Sequence, residues 1–166
     1  MNLDQQIQAL IDKAPLYRIP PKWITEIAPV LVDYATRLQH SEYYILQSQE
    51  DGWLLTTLSN RTQANLEKNV IHAFSTLEDA NLFPSVPDPE IIALPEPVTH
   101  ILFEMVGRDI VDSTIFFETP GNRTTGAEIF RENLLNRIKE HRQQHWPSLN
   151  NPRNLPPDIA WVMSFL

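Results

Sequence analysis

The chain has no cysteine, so a metal centre or an acid–base site in it would be built mainly from its five histidines and twenty-one carboxylates. His72 and His100 are the first pair to weigh. Both fall in runs that read as strands, Asn69–Phe74 and Val98–Val106. Neighbouring strands would bring them to Asp112 or Glu104. Two imidazoles and a carboxylate can hold a divalent metal or move a proton, which would suit a small metal-dependent hydrolase or a ligand-binding domain. The plainer reading of each is a partly buried strand histidine. His141 and His145 stand four apart on a helical stretch, a metal-ligand spacing, but Arg142, Gln143 and Gln144 between them complete no HExxH pattern. Both suit the last turn of a helix, where an imidazolium interacts well with the dipole.

The more easily recognised chemistries find no motif. There is no Gly-x-Ser-x-Gly for acyl transfer and no Asp-x-Lys or Glu-x-Lys of the nuclease kind. Four glycines cannot write a phosphate-cradling loop, and none is written. No cofactor is implied. These features favour a binding, adaptor or regulatory protein that acts through protein–protein contacts over an enzyme.

Charge is more informative. Thirteen bases stand against twenty-one acids, a net of −8, which argues against nucleic acid as a partner. The excess is local: residues 76–120 hold nine acids and one base, Arg108. Such a stretch serves either as a solvated face or as a surface for a basic partner, with Asp88 and Glu90 as its expected contacts. The start, MNLDQQIQALIDKA, lacks a secretory pattern, and no apolar run reaches the ~18 residues of a membrane span, so a cytoplasmic, membrane-free protein is expected.

The elements that must position these residues follow from periodicity. Leu3, Ile7, Leu10, Ile11 and Ala14 make a helical stripe that Pro15 stops. A second helix is expected over Lys22–Gln39, disturbed at Pro29. Glu42–Gln47 and Trp53–Leu58 read as a hairpin about Ser48–Gly52, and Asn69–Phe74 as a third strand. Ser75 and Glu78 form a capping-box pattern for a short helix ending near Phe83. Five prolines between Pro84 and Pro97 forbid a helix and leave an extended segment, with Ile91–Leu94 at a sheet edge. Val98–Val106 and Ile110–Glu118 read as a second hairpin about Gly107–Asp109. Thr125 and Glu128 repeat the capping box and start a long helix reaching His145, with Phe130 and Leu134 buried on its inner face. The stretch VIHAFSTLEDANLF, residues 70–83, locally resembles small bacterial domains of the SseB kind and carries no catalytic motif.

The expected fold is one α+β domain over residues 1–166. It has a helical part at 1–40, a mainly antiparallel five-stranded sheet made of two hairpins and a single strand, and helices packed on it. Residues 146–166 form a proline-rich tail ending in IAWVMSFL. Trp161, Phe165 and Leu166 expose too much apolar surface to stay in water, so the tail is expected to dock, on its own domain or on a second copy as a homodimer.

Overall fold

The computed structural model describes residues 1–145 except 51, 61, 64–65 and 85–87. Trp161, Phe165 and Leu166 therefore lie outside the described residues. The chain is α+β, with five α-helices and a mixed seven-stranded sheet among the described residues.

Helix α1 (Leu3–Lys13) opens with a full capping box between Asn2 and Gln5. A 3-10 turn, Ala14–Tyr17, leads to α2 (Pro21–Thr36), whose Trp23, Ile24, Ile27, Val30, Leu31 and Ala35 are buried. Pro29 lies inside α2 on its exposed side. The strands are β1 (Glu42–Ser48), β2 (Gly52–Trp53), β3 (Thr56–Ser59) and β4 (Glu67–Phe74). After them come α3 (Leu77–Leu82), β5 (Ile91–Pro97), α4 (Val98–Gly107), β6 (Ser113–Phe117), β7 (Ala127–Phe130) and α5 (Arg131–His145).

The expected first hairpin forms, with Gly52, the first residue of β2, at φ 69°, a left-handed conformation that glycine adopts without strain. Its second arm is two strands rather than one. β1 and β4 pair only through Tyr44–Ile45 and Ala73–Phe74, and then part. Into the gap go β2, on the far end of β1, and β3, on the near end of β4. On its other side β4 pairs with β6 in parallel, which a hairpin cannot do, and β6 pairs with β7 antiparallel. β5 lies along the whole of β1 at the sheet edge, where the prolines of its sequence are tolerated.

Three expectations are corrected. Val98–Val106 is a helix, so the second hairpin does not exist and His100 is not on a strand. The run is apolar without strict alternation, and in α4 eight of its residues are buried around the helix. Residues 127–130 form a strand, not the first turn of the last helix. Glu128, which would have closed the box, instead accepts from Lys68 and Ser113, while Thr125 is tied to Asn122. Gly126 admits this course: a Cβ there would stand 2.7 Å from the Phe116 carbonyl oxygen of β6. Phe130 consequently points outward, 41% exposed, whereas Leu134 of α5 is buried as expected, and Ile138 is buried too. Last, the α3 cap is Thr76, whose hydroxyl accepts from the Asp79 N–H; Ser75 leaves its Oγ buried without a partner.

α4 lies in the main core with residues of α1, α2, α5 and one sheet face, including Tyr43, Ile45, Ile71, Ala73 and Phe116. The opposite face carries a smaller cluster beneath α3, made of Leu46, Phe74, Ala80 and Phe117 with Phe83 beside them.

Two stability outcomes follow from this packing. Leu134→Ala removes a fully buried side chain and should cost ~2–5 kcal/mol, while Phe130→Ala should cost only ~1–2 kcal/mol. Denaturant unfolding of both variants checks the order, and a larger loss at Phe130 would contradict the course of β7. At the α3 entry, Thr76→Ala should cost ~0.5–2 kcal/mol, whereas Ser75→Ala removes an unsatisfied hydroxyl and should be neutral or stabilising.

Candidate functional site

The structure sets His72 and His100 on opposite faces of the sheet. His72 on β4 projects away from the main core into the rings of the smaller cluster. Its centroid is 4.5 Å from Phe83, and its ring is nearly parallel to Phe117 at 5.8 Å. Burial in this setting lowers its pKa, against a weaker pull upward from Glu128. α3 holds the cluster shut. Its Asp79 carboxylate accepts the Gly121 N–H at 2.9 Å, and Arg123 donates to the Leu82 carbonyl at 2.9 Å.

His100 is buried in α4 and its Nε2 donates to the Gln6 carbonyl at 3.0 Å. Burial lowers its pKa as well, with the Gln6 hydrogen bond acting in the opposite sense. Asp112 is exposed and accepts the Asn69 N–H at 2.7 Å, so it fastens the start of β6 to β4. Glu104 lies on α4. Among the described residues no group of three or more His, Asp or Glu is placed to hold a metal ion.

Beside His72 the same sheet face carries a polar network the sequence did not reveal. Lys68 Nζ and Ser113 Oγ both donate to Glu128 Oε2, at 2.7 and 2.6 Å. Burial acts to raise the Glu128 carboxyl, but these two donors and the nearby positive charge outweigh it and hold it below its ordinary value. Lys68 also lies over the Phe130 ring at 5.5 Å. The three groups satisfy one another. A similar mutual arrangement closes the other end of β6. Tyr43 donates its hydroxyl to Glu118, which also accepts from the Gln39 N–H, and His40 Nε2 donates to the Glu118 carbonyl. Burial, then Glu118, pushes the Tyr43 phenol well above its ordinary value, so it stays a donor.

A further set of carboxylates lies at the entry to β5 and along it. Asp88 and Glu90 are brought together with Glu50 around a cavity of about 380 Å³ that Leu54, Ile91 and Ile92 also line. A turn presents them: Asp88 Oδ1 accepts the Glu90 N–H, and the Asp88 carbonyl accepts that of Ile91. From there Ile92, Leu94 and Glu96 follow on one face of the strand, since alternate residues share a face. Ile92 and Leu94 are 49% and 41% exposed. Glu96 is steered by Gln47, whose Nε2 donates to it at 2.8 Å.

Past Glu96 lies a second cleft, of about 220 Å³, lined by Tyr17, Ile19, Phe103, Glu104, Gly107 and Arg108. Tyr17 and Phe103 meet edge to face at 5.5 Å, and Trp23 supports Phe103 at 6.2 Å. Sequence reasoning missed this cleft. Its one local signal is the i, i+4 pair Glu104 and Arg108, visible only once Pro97 is read as a helix entry. No family model, curated protein or solved structure matches this chain.

The buried His100 and the half-buried His72 give a pH dependence. Their folded pKa values lie below the unfolded value of about 6.5, so the unfolded chain binds more protons below that pH. The contribution is full above pH ~6.5 and falls as pH drops toward the depressed values. The melting temperature should therefore decrease between pH 7 and 5, and His72→Phe, which keeps the ring stack, should flatten part of that decrease. Parallel curves for the two proteins would contradict the burial of His72.

Proposed function

We propose that this chain is a binding or adaptor module that engages a basic protein partner along the β5 edge. The observation that carries the reading is the strip itself. Asp88 and Glu90 stand at one end and Glu96 at the other, with Ile92 and Leu94 exposed between them. Apolar contacts between flanking charges combine affinity with steering: the two aliphatic side chains lose water on contact, and the carboxylates raise the encounter rate with a positive surface. At ~3.4 Å per residue the strand segment from Ile92 to Glu96 covers about 14 Å. That matches a short extended or helical stretch of a partner rather than a small metabolite. The strip also lies within the part of the sequence that holds nearly all the excess negative charge.

Affinity capture from the native source tests this with the wild-type chain and an Asp88→Lys/Glu90→Lys double variant. Both positions are exposed, so the fold should persist, and circular dichroism checks it. A basic partner should be held by the wild type at about 0.01 M salt and lost near 0.3 M, as the screening length falls from ~30 Å to well under 10 Å. The double variant should not retain it. Retention indifferent to both salt and reversal would reject the strip as the contact surface.

A further inference from the structure

We propose that His72 is a pH-sensitive latch for α3: the neutral imidazole bridges the sheet to the end of that helix, and the imidazolium leaves this position and lets α3 lift. The inference does not depend on the reading of β5 as a docking strip.

The latched position is a box of three phenylalanines. The His72 ring stands 4.5 Å from Phe83 and lies stacked on Phe117 at 5.8 Å and on Phe74 at 6.3 Å. Phe74 and Phe117 belong to the sheet, whereas Phe83 is the C-cap of α3. One imidazole is thus packed on both sides of the joint. α3 itself is six residues long, and the cluster beneath it has four buried members, separate from the main core. Its polar ties are the Thr76 cap, the Asp79 carboxylate on the Gly121 N–H and the Leu82 carbonyl under Arg123. A helix so short depends on such packing to persist, so a ring withdrawn from its end is felt.

The sheet register gives the ring a way out. His72 pairs with Ile115 of β6, and Ile115 with Glu128 of β7, so the three stand in one row on the same face. At ~4.8 Å per strand the Cα atoms of His72 and Glu128 are about 10 Å apart, with only Ile115 between them. The titratable and charged groups on the surrounding elements are few. β4 carries Lys68, which donates to Glu128; β1 carries Tyr44; β6 carries none. α3 has the exposed Glu78 and the buried Asp79, and the loop after β6 has Arg123. Of these, Glu128 acts on His72 and draws its pKa upward, but burial outweighs it and the pKa is lowered. The latched ring is therefore held neutral, and proton uptake favours the arrangement in which it is wetter and nearer Glu128. The latch is full above pH ~6.5 and weakens as pH falls below it.

Hydrogen exchange of the full chain at pH 7 and pH 5, corrected for the intrinsic effect of pH on exchange, tests the latch, with His72→Phe as the variant that keeps a ring and cannot charge. In the wild type the opening equilibrium of the α3 amides should rise about fivefold or more between the two pH values, since one unit of pKa difference is a tenfold change in such an equilibrium. The α4 amides should stay protected, which separates lifting of α3 from global unfolding. In His72→Phe the α3 amides should not respond. NMR of the wild type should show the contact between the His72 and Phe83 rings lost along the His72 titration. Exchange at α3 that is indifferent to pH, or that rises equally in His72→Phe, would overturn the proposal. So would an imidazolium that keeps its contact with Phe83, held there by the ring faces.

Discussion

A helix buried on nearly every side must have its two ends answered by the rest of the protein, because water cannot reach the backbone groups it leaves unpaired. α4 imposes this demand. At its start the Val98 N–H donates to the Ser41 carbonyl, and the Thr99 N–H and hydroxyl both donate to Gln6 Oε1. Gln6 in turn donates to the Ser41 carbonyl, so one buried amide joins α1, the α2–β1 connection and α4. At its finish Arg131 donates from Nε and Nη2 to the carbonyls of Met105 and Val106. Arg131 is the first residue of α5, which ties the end of one helix to the start of another. Gln6 is almost fully buried, an expensive placement for an amide unless its hydrogen bonds are made, as they are here.

The sheet adapts to this helical side. β1 presents Tyr43 and Ile45 to the main core and Leu46 to the smaller cluster, so it contributes to both faces. The parting of β1 from β4 lets β2 and β3 enter between them, and the parallel β4–β6 pair follows from the long return through α3, β5 and α4. With four helices gathered on one face and the six-residue α3 on the other, the polar side chains of the less covered face are held by one another. Lys68, Ser113 and Glu128 form one such set. The carboxylates beside β5 are not neutralised in this way, which is why charge accumulates there.

Much of the framework was legible in the sequence because some elements carry a single signal. The stripes of α1 and α2, the aromatic run of β1 and the core of β4, which begins two residues earlier than expected, agree with their local period. The edge position of β5 followed from proline chemistry alone. The misreadings arose where two signals coincide. Val98–Val106 is apolar enough for a buried strand or a buried helix, and only the helices around it decide. Thr125 and Glu128 have the spacing of a helix cap, yet Glu128 has stronger partners on β4 and β6. Asp88 and Glu90 could be singled out from local charge, and they do share a cavity. The Tyr17–Phe103 cleft could not, because its residues come from a 3-10 turn and a helix far apart in the chain, and the helix has the local pattern of a strand.

The composition of β5 bears on how far the sheet could be extended at that edge. Two of its seven residues, Pro95 and Pro97, have no backbone hydrogen to offer. A sheet border of this kind is a poor template for a neighbour's backbone, and side-by-side growth of sheets is hindered even though Ile92 and Leu94 are uncovered there. A contact made at that border would depend on side chains more than on main chain. Main-chain pairing accepts almost any extended sequence, whereas side-chain contact discriminates, so prolines at a sheet border oppose indiscriminate pairing.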